Sequence, residues 1–81
     1  MRVLAVDDEQ PALDDLVRVL RAQPAVREVQ TALSGEQALQ ALAGEHYDAV
    51  FLDVRMPGLD GVELARVLRR FARPPALIFV S

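Results

Sequence analysis

Two groups of carboxylates stand where carboxylates can do chemistry. Asp53 follows Ala49-Val50-Phe51-Leu52, a run of strand length, rich in β-formers and apolar throughout. Such a run reads as a strand buried on both faces. Asp7-Asp8-Glu9 follows a second run of the same kind, Arg2-Val3-Leu4-Ala5-Val6. A charge at the tip of a buried strand is costly unless a cation or partner compensates it. If the two strands are parallel neighbours, Asp7, Asp8 and Asp53 converge on one pocket. Three carboxylates together repel, and a hard divalent cation with oxygen ligands is the usual remedy. Alone, Asp53 would be a polar residue on which a strand ends. The two acid-tipped strands together point to a site at the carboxyl end of a sheet, where open α/β folds bind their ligands.

The elements around these acids follow from pattern. Met56-Pro57-Gly58 continues neither strand nor helix, so the chain turns there. Pro11 suits the first turn of a helix, where its missing donor is harmless. Leu13, Leu16, Val17 and Leu20 then form one buried stripe, with Asp14, Asp15, Arg18 and Arg21 solvated and Pro24 ending the helix. Residues 26–33 read as a less apolar strand, hence an edge. Ser34-Gly35-Glu36-Gln37 resembles a capping box. Ala38, Leu39 and Leu42 give the next helix its face, and Gly44 stops it. Asp60-Gly61-Val62-Glu63 has the form of a helix start, followed by the stripe Leu64, Val67, Leu68 and Phe71. Pro74-Pro75 breaks that helix, and Ala76-Leu77-Ile78-Phe79-Val80 is a fourth strand ending on Ser81.

The resulting βαβαβαβ pattern predicts a parallel α/β sheet with right-handed crossovers. A flavodoxin-like, doubly wound order of 2-1-3-4 brings Asp7-Asp8 and Asp53 onto neighbouring strand ends. Arg66, Arg69, Arg70 and Arg73 crowd the end of the third helix. They could form a docking patch, but complementing the helix dipole already accounts for arginines at that place, and that reading is preferred. His46 has no second ligand at metal spacing and reads as a surface or loop histidine.

Composition narrows the classes further. Eighty-one residues, 52% hydrophobic and 26% charged, make one small globular domain. A domain this size buries only about 60% of its unfolded surface, so its stability is expected to be marginal. No cysteine is present, which removes disulfides and thiolate metal sites. A net charge of −3 argues against a nucleic-acid surface over the chain as a whole. No apolar run approaches the length of a membrane span and no signal peptide is recognisable, so a soluble cytoplasmic protein is expected.

Over Val3-Leu4-Ala5-Val6-Asp7-Asp8-Glu9, Phe51-Leu52-Asp53-Val54-Arg55-Met56-Pro57-Gly58-Leu59-Asp60-Gly61 and Phe79-Val80-Ser81, the chain resembles the receiver domain of two-component response regulators. The resemblance implies that Asp53 accepts a phosphoryl group from a sensor histidine kinase, as a signalling switch rather than a turnover enzyme. It implies Mg²⁺ held by Asp8, Asp53 and the backbone carbonyl of Arg55, with Asp7 acting through a metal-bound water. Ser81 would donate a hydrogen bond to the phosphoryl oxygen. The stretch from Arg66 to Ser81 is similar to receivers that precede a LytTR-type DNA-binding domain, so DNA contact would belong to an effector outside this chain.

The chain departs from the family pattern after the fourth strand. The family's fourth helix, fifth strand and fifth helix have no counterpart, and its phosphate-binding lysine has none either, since all nine basic residues are arginines. The chain therefore reads as a partial receiver domain spanning residues 1–81. Its fourth strand would be an exposed apolar edge, open to homodimerisation or domain swapping. Two other readings stand beside this one. One is a receiver-like interaction or dimerisation module that takes no phosphate. The other is a phosphohydrolase with an aspartyl nucleophile, which would need a carboxylate at position 55, where this chain has arginine.

Overall fold

Alternation of apolar residues along the strands sets which side chains point to which face of the sheet, and the helices settle on the two faces accordingly. A computed structural model of the chain describes residues 1–53 and 61–80. In chain order the elements are β1 (Arg2–Val6), α1 (Gln10–Arg21), β2 (Glu28–Ala32), α2 (Gly35–Gly44), β3 (Ala49–Asp53), α3 (Gly61–Leu68) and β4 (Ala76–Val80). The four strands form one parallel sheet in the order β2-β1-β3-β4. This is the expected α/β, flavodoxin-like arrangement.

Leu4 and Val6 of β1 and Val50 and Leu52 of β3 face α2 and α3, where they pack with Ala38, Leu42, Leu64 and Leu68. Val3, Ala5 and Ala49 point the other way and meet Leu13 and Leu20 of α1. Both central strands are thus buried on both faces, as their unbroken apolar runs require. Truncating a side chain such as Leu52, which is 1% exposed, would cost about 2–5 kcal/mol. β2 is an edge strand and is mostly exposed, in keeping with its mixed sequence. It is shorter than the expected 26–33: the Val26 N–H is still bonded to the Gln23 carbonyl in the turn after α1, and the Leu33 N–H is taken by the Gln37 side chain at the start of α2.

The helix ends reflect local chemistry. Pro11 lies in the first turn of α1, and the helix closes two residues before Pro24 with Ala22 as its cap. Ser34 caps α2 by accepting the Gln37 amide at 3.1 Å. Gln37 returns a side-chain bond, but its Oε1 accepts from Leu33 at 2.9 Å, one residue earlier than in a standard capping box. α3 ends at Leu68, so Phe71 packs from a turn rather than from the helix; within the helix Leu64 and Leu68 are buried, while Val67 at the margin of the stripe is exposed. β4 is the other edge, and Ile78 and Phe79 on its opposite faces are both exposed, as the sequence suggested. No helix among the described residues is long and apolar enough to cross a membrane.

Candidate functional site

Register, more than any single residue, builds the site. Val6 pairs with Leu52 across the β1–β3 ladder, so the next residues, Asp7 and Asp53, leave adjacent strands at the same level. On the other side of β1, Val6 pairs with Ala32, whose carbonyl accepts the Asp7 N–H at 3.2 Å. Asp7 is therefore held by its backbone at the carboxyl edge of the sheet. Its side chain is 6% exposed, making it the one buried charged residue among those described. One carboxylate oxygen accepts the Glu9 N–H at 3.0 Å. That bond turns the chain into α1, whose amino end adds a partial positive charge nearby. Asp8 is exposed and Asp53 is half-buried.

The donor set is all oxygen and suits a hard cation. Magnesium commonly takes only one or two carboxylates and completes its shell with water. Among the described residues, no three His, Cys, Asp or Glu side chains gather closely enough to make up a metal shell by themselves. The residues present fit a Mg²⁺ site completed by water and backbone oxygen, and do not fit an all-carboxylate cage. Arg55, the Met56-Pro57-Gly58 turn, the Asp60 helix start and Ser81 lie outside the described residues.

The opposite, amino end of the sheet holds a cluster that sequence reading did not single out. Arg2 forms ion pairs with Glu28 and Glu45, and its guanidinium stands 5.0 Å from the centre of the Tyr47 ring. Its Nε lies 2.7 Å from Glu28 Oε2 but is not aimed along an N–H bond, so this contact is an ion pair rather than a hydrogen bond. The Arg2 N–H donates to Asp48 at 2.7 Å, and the Asp48 N–H donates back to the Arg2 carbonyl at 2.8 Å. The hydrogen bond from the Arg2 N–H is the main reason the Asp48 carboxyl sits below its ordinary range, with His46 at 3.6 Å a smaller contribution. Burial pushes the Tyr47 hydroxyl up. His46 is exposed, as expected.

A parallel sheet with acids at the carboxyl ends of its two central strands is the architecture of open α/β domains, which bind their ligands beyond the strand tips. Comparison with known proteins agrees. Residues 3–81 match the response regulator receiver domain family. The chain is 42% identical over 82 residues to the positive alginate biosynthesis regulatory protein of Pseudomonas aeruginosa, covering 100% of this chain and 33% of that protein. It is 35% identical to the sensory transduction protein LytT of Bacillus subtilis, over 100% of this chain and 34% of the relative. Among solved structures, the response regulatory domain of mrkE from Klebsiella pneumoniae aligns with a TM-score of 0.83 at 34% identity, over 98% of this chain and 65% of that one. The response regulator DrrB of Thermotoga maritima, an OmpR/PhoB homolog, gives 0.77 at 27% identity, over 96% of this chain and 34% of that one.

The chain belongs to the response regulator receiver domain family. Receiver domains are signalling switches that work with sensor histidine kinases and generally bind Mg²⁺ at the phosphorylation site. The chain spans about a third of the length of the curated relatives it matches.

Proposed function

We propose that this chain is the phosphoacceptor part of a receiver domain in a two-component response regulator, with Asp53 the residue that takes the phosphoryl group. The observation that carries this reading is the β1–β3 register, from which Asp7 and Asp53 emerge side by side at the carboxyl edge of the sheet. A carboxylate oxygen of Asp53 attacks phosphorus, and the bond from phosphorus to the histidine nitrogen of the kinase breaks, its electron pair leaving with the imidazole. Mg²⁺, when bound, supplies charge neutralisation for two anions that must meet. Asp8 and Asp53 would hold it directly, together with the Arg55 carbonyl, and Asp7 would orient a bound water. Ser81 would hydrogen-bond the phosphoryl group. The output would pass to an effector segment, a DNA-binding one by analogy with the transcriptional regulators among the relatives. The protein would act in the cytoplasm, where a kinase domain can reach it.

The test is incubation with acetyl phosphate and Mg²⁺, followed by intact-mass measurement. The wild-type chain is expected to gain one phosphoryl group, and Asp53→Asn none. An equal gain in Asp53→Asn would overturn the assignment. A second reading is a receiver-like interaction module that is not phosphorylated. It predicts no mass gain in either protein.

A further inference from the structure

The arginines around the end of α3 have more to explain than the helix dipole can cover. Dipole effects fade within the last turn. α3 ends at Leu68, with Arg66 in its last turn and the Arg69 N–H still bonded to the Ala65 carbonyl. Arg70 and Arg73 lie beyond it. All four arginines are exposed, and none forms an ion pair among the described residues. From Leu64 to Val80 the sequence has four arginines and no acid, although the chain as a whole is net negative. A local cationic surface on an anionic chain is an interaction signal rather than a solubility device.

An apolar groove adjoins these arginines. Leu42, Ala43, His46, Phe71, Ala72 and Arg73 line an open groove of about 640 Å³ between the end of α2 and the α3–β4 turn. Leu42 belongs to the core and Phe71 packs against it, so the floor is apolar and fixed. Of the acids flanking His46, neither Glu45 nor Asp48 lines the groove: Glu45 is paired with the Arg2 side chain, and Asp48 accepts the Arg2 backbone N–H. We propose that this groove, with Arg73 on its rim and Arg69 and Arg70 in the adjoining turn, docks an acidic amphipathic segment of a partner protein. Apolar side chains of the segment would rest on Ala43, Phe71 and Ala72, and its carboxylates would meet the arginines. A single-stranded nucleic acid fits less well, because Phe71 is committed to the core rather than presented as a stacking platform. The groove lies at the amino end of the sheet, away from Asp53, so a segment bound there leaves the acid pocket open.

Fluorescence anisotropy with a dye-labelled amphipathic Glu/Leu peptide tests the proposal, beside a Gln/Leu analogue and a single-stranded oligonucleotide. The Glu/Leu peptide is expected to bind, with affinity falling as salt rises. Arg70→Glu/Arg73→Glu should weaken it at least about tenfold while the circular dichroism melt stays unchanged. Ala72→Glu, at an exposed position, should act in the same direction. Equal binding of the Gln/Leu analogue, tighter binding of the oligonucleotide, or wild-type affinity in both variants would overturn the proposal. Self-association of the chain that these variants abolish would also overturn it, assigning the groove to a second copy.

Discussion

The two ends of this sheet handle acidic residues in opposite ways. At the amino end, Glu28, Glu45 and Asp48 are all tied to Arg2, through its guanidinium or its backbone N–H. At the carboxyl end, Asp7 is almost fully buried and its one recorded side-chain hydrogen bond comes from the Glu9 amide. Among the described residues, no arginine pairs with Asp7 or Asp8. The residue types are alike, but Arg2 ties the amino-end acids together, whereas Asp7 is held through a backbone amide. Under the proposed function, the amino-end acids hold the fold together and the strand-tip acids do the chemistry.

Substitutions at the two ends should therefore move different observables. The largest effect is expected at the carboxyl end. Asp8→Asn should lower Mg²⁺ affinity at least about tenfold by calorimetry while shifting the melting temperature little, because Asp8 is exposed. At the amino end, Arg2→Ala removes two ion pairs and the contact with Tyr47. It should cost about 1–2 kcal/mol in urea unfolding and leave Mg²⁺ affinity intact. A substantial loss of Mg²⁺ affinity in Arg2→Ala would break the separation between the ends.

Asp7→Asn should have the opposite sign to Arg2→Ala in metal-free buffer. The amide oxygen can still accept the Glu9 N–H, and the buried charge is gone, so a gain of about 0.5–1 kcal/mol is expected. Destabilisation would mean that Asp7 is part of the structural framework. The smallest effect concerns pH. The Asp48 carboxyl is depressed in the folded state, so its contribution to stability is present above its ordinary value near 3.8 and is lost as pH falls through the lower folded value. The stability difference between wild type and Asp48→Ala should thus be constant near neutrality and shrink in acid. A difference that grows on acidification would contradict the backbone hydrogen bond as the cause.

The carboxyl end was readable in the sequence because its signal is local. An apolar run that stops on an acid is visible in a handful of letters, and it occurs twice, at Val6-Asp7 and Leu52-Asp53. The β1–β3 ladder then aligns the two tips. The amino end was not readable. Arg2, Glu28, Glu45 and Tyr47 are far apart in the chain, and each alone looks like an ordinary surface or strand-entry residue. They meet only once Arg2 pairs with Glu28 across β1–β2 and residues 45–48 lead into β3. Val67 was misread for another reason: it lies within α3 but at the margin of the stripe, so Leu64 and Leu68 reach the core while Val67 stays 36% exposed.

The most direct measurement of the difference between the two ends is a Mg²⁺ titration of the ¹⁵N-labelled chain, followed amide by amide. Progressive shifts are expected at Asp7, Asp8, Glu9 and Asp53, with Arg2, Glu28, Glu45 and Asp48 unmoved. Shifts concentrated at the amino end, or none at the strand tips at saturating Mg²⁺, would contradict this expectation.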